Sequence, residues 1–269
     1  MKKLDFLSRT IKDDIVCDGL CAIGTLSDKE LTRGFYMIVG GMATQSYLPR
    51  RFMRPTVDID LSIGKPLNDP DFREFSQGVR GYLCDNGYNI KTKKGSRAYT
   101  LEVISKDDKI LLIEFARRNQ KCFEKSEKRL KRELDNSRSK KVEGKEVIYI
   151  VSSPEDIVLP KLVRCTHALS RCPNLESYLL RLEKGATEEE TYKQLRKIQE
   201  KRREAIFNPG EVILAEELRF MSDIYDIGLL YDVVGFNEAY LKEGLKDWDT
   251  LKENTKESKK IRELIPILF

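Results

Sequence analysis

The sequence predicts an α+β protein, in which a mixed sheet with flanking helices is followed by a helical region. Strand-like runs, either apolar throughout or alternating between apolar and polar residues, all fall before residue 152. Beyond residue 152 the apolar residues recur at helical spacing only. We therefore expect a core domain over residues 1–151 and a helical domain over residues 152–269.

The strands of the core domain follow from two patterns. A continuous apolar run that ends at Gly40-Gly41 predicts a buried strand over residues 35–39. Alternation over Val57–Ile63 predicts a second strand, on which Asp58 and Asp60 share one face. The other strands are predicted at 98–105 and 109–116, as a hairpin, and at 146–151.

Helical periodicity and end signals predict the helices. Ser27–Glu30 resembles a capping box before a short helix, and Ser153 is an N-cap candidate for a helix that begins at Pro154. The predicted helices cover residues 3–15, 42–48 and 71–86 in the core domain, and 154–170, 174–184, 188–206, 210–233 and 236–246 in the helical domain.

Composition excludes several classes of protein. The chain has 269 residues, of which 40% are hydrophobic and 35% charged, as in globular proteins with a heavily charged surface. No run approaches the about 18 consecutive apolar residues of a membrane span, and the N-terminus shows no signal peptide, so we expect a cytoplasmic protein without a membrane partner. Six scattered cysteines and a single histidine favour free thiols over disulfides or a zinc site.

Positive charge is concentrated in two segments. The net charge is +5, whereas residues 117–145 hold twelve Lys/Arg against five Asp/Glu, a local balance of +7. A second cluster of Lys and Arg lies at 193–203. Such segments suit phosphate-bearing partners but alone indicate no particular one. A solvated helix face, in which Lys and Arg are interspersed with Glu, is the alternative interpretation.

One series of motifs in the core domain predicts a functional site. The strand over 35–39 leads into Gly40-Gly41, a short helix, and then the run Arg54-Pro55-Thr56-Val57-Asp58-Ile59-Asp60-Leu61. Glycines without a Cβ let the backbone approach a triphosphate closely, and the amides at a helix N-terminus bind anions. Two carboxylates on one strand face repel each other unless a cation lies between them, and their oxygens suit Mg²⁺ or Mn²⁺. The series therefore predicts a site for a metal and a nucleoside triphosphate (NTP).

This series resembles the signature of the nucleotidyltransferase superfamily, a Gly-Gly or Gly-Ser turn followed by an Asp-x-Asp or Asp-x-Glu strand. More narrowly, it looks like the AbiEii branch, the toxin half of certain bacterial and archaeal toxin–antitoxin and phage-defence systems. The matching segments are Gly40-Gly41-Met42-Ala43, Thr56–Leu61, Pro160-Lys161-Leu162 and Ser222–Ile227. Ser222 stands where that branch has an arginine.

The resemblance implies a nucleotidyltransferase-like fold and a set of site residues. Asp58 and Asp60 would hold the metal together with a third carboxylate from a neighbouring strand, for which Glu114 is the first candidate and Glu102 the substitute. Lys161 would contact phosphate, with Asp223 or Asp226 as its partner. The implied nucleotide-binding residues are Gly40, Gly41, Thr56 and Lys161, and the implied catalytic residues are Asp58, Asp60, Lys161 and Asp223.

The implied activity is the transfer of a nucleoside monophosphate (NMP) from an NTP to a hydroxyl acceptor, with release of pyrophosphate. A tRNA 3′ end or another RNA is the candidate acceptor, and a cognate antitoxin protein is a candidate partner. Two alternatives stay open. The enzyme could modify a protein or small-molecule hydroxyl instead, or the chain could be a nucleotide- or RNA-binding module that has lost turnover.

Overall fold

The structure, a computed structural model, describes residues 10–26, 35–54, 56, 58–176, 212–252 and 256–263. The chain divides into two compact units. The first, which we call the sheet unit, comprises residues 1–46 and 55–153, and the second, the helical unit, comprises residues 47–54 and 154–269. The division after Ser153 is two residues beyond the predicted boundary. The segment 47–54, which the sequence places inside the core domain, belongs with the helices.

A seven-stranded mixed sheet forms the centre of the sheet unit. Its order is β3-β4-β5-β2-β1-β7-β6. β2 runs parallel to β5 and β1 parallel to β7, whereas the other neighbouring pairs are antiparallel. The predicted α+β class, with a mixed sheet followed by a helical region, is confirmed. The strands are β1 (Tyr36–Val39), β2 (Asp58–Ile63), β3 (Asn89–Lys94), β4 (Ala98–Ile104), β5 (Ile110–Ala116), β6 (Arg138–Lys141) and β7 (Ile148–Val151).

Five helices belong to the described part of the sheet unit. They are α1 (Asp14–Gly24), α2 (Gly40–Gln45), α3 (Asp69–Phe75), α4 (Gln77–Asp85) and α5 (Gln120–Asp135). Asparagine side chains begin two of them, because Asn68 accepts a hydrogen bond from the amide of Asp71 and Asn119 accepts one from the amide of Cys122. Each bond satisfies an N–H group that the first turn of a helix leaves without an intrahelical partner.

One face of the sheet, the packed face, is apolar. Tyr99 and Phe115 point to it and are at most 2% exposed. Phe72 of α3 stacks on Tyr99, with 4.4 Å between ring centroids. α1 lies against the same face, since a Cβ at Gly19 would be 2.7 Å from the side chain of Leu111. Burial of these alternating apolar residues forms the core of the unit.

The opposite face, the open face, carries polar side chains. Asp58 and Asp60 on β2 and Glu114 on β5 are half-buried, in contrast to the residues between them, which are buried. The alternation that predicts β2 from the sequence therefore separates a packed face from an accessible one.

The helical unit is organised around α6 (Pro154–Arg171), which packs against the four other helices described in this unit. These are α7 (Val212–Val234), α8 (Glu238–Leu245), α9 (Asp249–Lys252) and α10 (Lys256–Glu263), and short 3₁₀ turns cover Arg50–Phe52 and Pro173–Leu175. Asn237 caps α8 by accepting a bond from the amide of Tyr240. Its own backbone N–H donates to the Glu155 carboxylate at 2.6 Å.

The structure corrects several predicted helix bounds. α1 begins at Asp14, and residues 11–13 form a turn in which the amide of Thr10 donates to the Asp13 carboxylate at 2.8 Å. Of the predicted helix 3–15, the described residues 10–13 are not helical, and residues 3–9 lie outside the described part of the chain. α1 continues to Gly24. The predicted helix 71–86 is two helices that meet at Ser76. The predicted helix 174–184 starts within the 3₁₀ turn Pro173–Leu175, and its residues 177–184 lie outside the described residues, as do the capping box at 27–30 and the predicted helix 188–206.

Five strands and helices were not predicted, namely β3, β6, α5, α9 and α10. Their sequences are dominated by charged and polar residues, so the few apolar positions are too sparse to predict a strand or a helix. β3 and β6 are the two edge strands of the sheet. Edge strands carry few apolar side chains because only part of their surface is covered. In the described parts of the chain, no helix has the length and apolarity needed to cross a membrane.

Candidate active site

Three acidic residues lie on the open face of the sheet, on two neighbouring strands. Asp60 on β2 lies directly opposite Glu114 on the parallel strand β5, and Asp58 lies opposite Leu112. Neighbouring strands are about 4.8 Å apart. The structure therefore brings Asp58, Asp60 and Glu114 into one patch, as expected if they form a common site.

Two threonine hydroxyls orient these carboxylates. Thr56 is 8% exposed, and its hydroxyl donates to Asp58 Oδ1 at 3.2 Å. The hydroxyl of Thr100 on β4 donates to Glu114 Oε1 at 3.4 Å. The bond from Thr56 gives that residue a positioning role beside Asp58, and its predicted contact with nucleotide stays a prediction. Thr100 was not singled out in the sequence, because its place opposite Glu114 depends on the β4–β5 register.

Glu102, the substitute candidate for the third carboxylate, is one strand farther from β2. It lies on β4 opposite Leu112, and its side chain is 6% exposed. The ammonium of Lys93 is 2.9 Å from the Glu102 carboxylate. Because Glu102 already has a cationic partner and is separated from β2 by β5, the geometry favours Glu114.

Gly40 is required by its contact with Asp60. Val39, the residue before it, is opposite Asp60 in the β1–β2 register. Gly40 has φ +71°, a conformation that residues with a Cβ rarely adopt. A Cβ at this position would lie 2.7 Å from Asp60 Oδ2. The backbone of the glycine turn therefore abuts the carboxylate. Gly41 is half-buried in the first turn of α2, and its phosphate contact stays a prediction.

Electrostatics distinguishes Glu114 from an ordinary surface acid. Partial burial raises the pKa of Glu114 above its usual value, and the negative charge of Asp58 raises it further. The hydrogen bond from Thr100 lowers that pKa but does not cancel the other two effects. Glu114 and Asp58 are thus close enough to repel each other, which is the condition that a bound cation would relieve.

The donor set fits a hard divalent cation that is bound together with a polyphosphate. Among the described residues, no three His, Cys, Asp or Glu side chains form a group that could hold a metal ion by themselves. Mg²⁺ in nucleotide enzymes is commonly held by one or two carboxylates and completes its shell with phosphate oxygens and water. Asp58, Asp60 and Glu114 therefore fit Mg²⁺ or Mn²⁺ that arrives with a triphosphate, rather than a metal held by the protein alone.

A second group of charged residues lies within the helical unit, and we call it the buried ion network. It is an alternating chain of cations and anions, in the order Arg54, Asp226, Lys161, Asp223 and Arg164. Arg54 donates to both oxygens of Asp226, at 2.7 and 2.5 Å. Lys161 on α6 donates to Asp226 at 2.7 Å and to Asp223 at 3.0 Å. Arg164, one turn along α6, donates to both oxygens of Asp223 at 2.7 and 2.8 Å.

Burial distinguishes Lys161 from Arg164. Lys161 is 2% exposed and Asp226 is fully buried, whereas the side chain of Arg164 is 36% exposed. The predicted ion pair between Lys161 and Asp223 is present, and Asp226 shares the same ammonium. Both acids of α7 therefore point inward. The predicted roles of Lys161 and Asp223 in nucleotide binding and catalysis stay predictions.

The cations of the network control the ionisation of its acids. Burial alone would raise the pKa of Asp223, but Lys161 and Arg164 outweigh it and hold that pKa far below its usual value. Burial opposes ionisation of Asp226 in the same way, and Arg54 and Lys161 together lower its pKa. Both acids are therefore charged at neutral pH.

The sequence predicts no partner for Arg54 and no role for Arg164. Arg164 follows Lys161 by three residues, so the two lie on one face of α6, and this spacing was a usable signal. The pairing of Arg54 with Asp226 had no local signal, because 172 residues separate them along the chain. The pair is possible because residues 47–54 belong to the helical unit, which also contains Asp226.

The basic segment 117–145 coincides largely with α5 and β6. On α5 the exposed residues include both signs of charge, with Lys121, Lys125 and Lys128 beside Glu124 and Glu127. This pattern agrees with a solvated helix face as well as with a phosphate-binding surface, so both interpretations stay open. The second basic cluster, at 193–203, lies outside the described residues.

No protein-family model and no curated protein matches the chain. Among solved structures, the chain is similar to an antigenic nucleotidyltransferase-like protein from Paracoccidioides brasiliensis, with 16% sequence identity and a TM-score of 0.36. The similarity covers 56% of this chain and 67% of that chain.

Proposed function

We propose that the protein is a metal-dependent nucleotidyltransferase, which moves an NMP from an NTP to a hydroxyl acceptor and releases pyrophosphate. One observation carries the proposal. Asp58, Asp60 and Glu114 share the open face on two neighbouring parallel strands, and the glycine turn abuts Asp60. Carboxylates in such a group attract hard cations, and a glycine backbone beside them admits phosphates.

In this proposal the acidic residues bind the cation and Thr56 positions one of them. When bound, Mg²⁺ or Mn²⁺ would neutralise negative charge on the triphosphate oxygens and on the leaving pyrophosphate. Asp58 and Asp60, with Glu114, would hold the cation. Thr56 keeps the Asp58 carboxylate oriented through its hydroxyl.

The transfer itself exchanges one oxygen on the α-phosphorus for another. The acceptor oxygen bonds to the α-phosphorus while the bond from that phosphorus to the oxygen bridging to the β-phosphate breaks. The electron pair of that bond leaves with pyrophosphate. Asp58 or Asp60 accepts the proton of the acceptor hydroxyl as a general base. Glycine at positions 40 and 41 leaves room for the phosphates beside Asp60.

The finer parts of the proposal rest on the resemblance to the AbiEii branch. Lys161, oriented by Asp223, is proposed to contact phosphate. The acceptor is proposed to be RNA, with a tRNA 3′ end as the first candidate, and the cellular role that of a toxin with a cognate antitoxin. The motif match supports these points, and the transfer assay below tests the first two.

The experiment is a transfer assay with each α-³²P-labelled NTP, Mg²⁺ and total RNA. We expect label in an RNA band with the wild-type protein. In the Asp58→Asn/Asp60→Asn double variant we expect a loss of at least about 100-fold, the scale on which removal of one transition-state stabiliser reduces turnover. Lys161→Ala in the same assay tests the phosphate contact.

Folded wild-type protein that binds NTP but labels no acceptor would support the alternative of a binding module without turnover. A label on protein or on a small molecule instead of RNA would keep the enzyme class and replace the acceptor. Wild-type transfer by the double variant would contradict the proposal.

A further inference from the structure

Two lateral rows of side chains cross the open face from the candidate active site to the edge of the sheet. Each residue of a row lies opposite the next residue of that row, which is on the neighbouring strand. Residues that lie opposite each other in a sheet point to the same face. The first row is Asp60, Glu114, Thr100 and Lys93, and the second is Asp58, Leu112, Glu102 and Lys91. Each row therefore begins at a candidate metal-binding acid and ends at a lysine.

The lysines lie on β3, the outermost strand on this side of the sheet. Lys91 is exposed, and the side chain of Lys93 is 61% exposed. Lys94, the next residue, points to the other face, where its ammonium is 2.7 Å from the Asp69 carboxylate. Strand alternation thus places two of the three lysines of β3 on the face that carries the acids.

The length of a row determines which kinds of acceptor could contact both of its ends at once. Three strand spacings separate β2 from β3, which amounts to about 14 Å. A small acceptor with its hydroxyl at Asp60 would not reach Lys93. A polymer with repeated negative charges reaches both ends of the row.

Two apolar side chains on the open face suit contact with a nucleic acid. Leu112 and Ile104, which are half-buried on the open face, offer apolar contact to bases or sugars. Lys93 and Glu102 form an ion pair in which the lysine side chain is 61% exposed and the glutamate side chain 6% exposed. A phosphate can contact the exposed side of the Lys93 ammonium while that ion pair stays in place.

We propose that the open face between β2 and β3 binds a single-stranded nucleic acid, with its 3′-hydroxyl at the acids and its backbone phosphates on Lys91 and Lys93. This inference rests on the proposed function, because the position of the 3′ end follows from the transfer reaction. It assigns acceptor binding to β3 rather than to the basic helix α5.

The test measures binding without catalysis. The probe is a short single-stranded RNA of mixed sequence with a 5′-fluorescein, and its Kd is measured by fluorescence anisotropy over a series of salt concentrations without NTP. The variant is Lys91→Gln/Lys93→Gln, in which the amide at position 93 can still donate to Glu102. Each lost phosphate contact on a single strand lowers the slope of log K against log salt by about 0.7, so we expect a decrease of about 1.4.

Two control variants test whether the RNA binds to the open face and not to another surface. Lys94→Gln removes one lysine from the same strand but from the opposite face, and we expect an unchanged slope. Lys121→Gln/Lys125→Gln/Lys128→Gln removes three exposed lysines from α5, and we again expect no change. Thermal melts check that every variant folds. If the double variant is unstable, Lys91→Gln alone, at an exposed position, is expected to give a decrease of about 0.7.

The outcomes separate this inference from the proposed function. An unchanged slope in the β3 variants, a decrease in the α5 variant instead, or no RNA binding by the wild type overturns the assignment to the open face. RNA binding that depends on Lys91 and Lys93 supports it, even if labelled NMP never reaches RNA. In that case only the proposed transfer activity fails.

Discussion

The two units of the molecule use acidic residues in opposite ways. On the open face of the sheet, Asp58 and Glu114 repel each other, and the pKa of Glu114 is raised by burial and by Asp58. In the buried ion network of the helical unit, Asp223 and Asp226 are surrounded by cations, and both pKa values are lowered despite burial. One group gains from an added cation, whereas the other already contains its cations in the form of Lys161, Arg54 and Arg164.

This contrast predicts how a substitution at each group of acids changes the stability of the fold. A buried acid with two strong ion pairs is costly to disturb, because removal of its charge leaves cations in a medium of low dielectric constant. A half-buried acid beside a like charge destabilises the folded state slightly and gains stability when a cation binds. Substitutions at the two groups should therefore change stability in opposite directions.

The largest effect on stability is expected from Asp226→Asn. The asparagine keeps the shape of the side chain but leaves Arg54 and Lys161 buried with one carboxylate fewer between them. Removal of one partner from a buried ion pair costs about 3–5 kcal/mol. Denaturant unfolding of the variant and the wild type measures the difference.

A matched control for Asp226→Asn is Glu243→Gln, which removes an exposed acid from α8 in the same unit. Surface substitutions of this kind stay within about 0.5 kcal/mol. A cost below about 1 kcal/mol for Asp226→Asn would mean that the network adds little to stability, and the contrast between the two units would then be wrong.

The sequence predicts the site of the sheet unit better than that of the helical unit, for a physical reason. The shared face of Asp58 and Asp60 follows from strand alternation, which is local, and the glycine turn is adjacent in the chain. By contrast, the Arg54–Asp226 pair requires the segment 47–54 to leave the sheet unit and join the helices. No periodicity within 47–54 indicates that departure.

The position of each strand within the sheet also cannot be predicted from the sequence. The hairpin of β4 and β5 is predictable, but the parallel pairing of β5 with β2, which sets Glu114 opposite Asp60, is a long-range contact. β3 could not be predicted at all, because its charged residues carry no apolar alternation. The lateral rows that end at Lys91 and Lys93 therefore required the structure.

The next effect in size is expected from Gly40→Ala. The residue has φ +71°, and this conformation costs a residue with a Cβ about 1–2 kcal/mol. The new Cβ would also lie 2.7 Å from Asp60 Oδ2 and would push the carboxylate away from its position. We expect both a loss of stability and a loss of NMP transfer of at least about 10-fold, as when a misplaced group disturbs reacting geometry.

Gly144→Ala is the control for Gly40→Ala. Gly144 has the same φ of +71°, but a Cβ there meets nothing within 4 Å. The two variants should therefore share the backbone cost, and only Gly40→Ala should lose transfer. Equal transfer rates in both variants would show that the close contact with Asp60 has no catalytic role.

The smallest effect on stability, and the most direct test of the contrast, is expected from Glu114→Gln. The folded state raises the pKa of Glu114 above its usual value of 4.5, so the folded protein binds that proton more tightly than the unfolded chain does. The stability associated with this group is thus present below pH 4.5 and is lost as the pH rises through the higher, folded-state pKa. Glutamine cannot ionise, so at neutral pH Glu114→Gln should have a slightly higher melting temperature than the wild type without ligand.

With Mg²⁺ and NTP added, the wild type should instead have a higher melting temperature than Glu114→Gln. Ligand at 100 times its dissociation constant adds about 2.7 kcal/mol to the wild type by linkage, and Glu114→Gln should gain less because one carboxylate of the cation site is gone. Glu102→Gln is the control, since it removes the partner of Lys93 and should be stabilised by Mg²⁺ and NTP as much as the wild type. If Glu102→Gln loses the ligand effect and Glu114→Gln keeps it, Glu102 is the third carboxylate. If both keep it in full, the cation is held by Asp58 and Asp60 without a third acid.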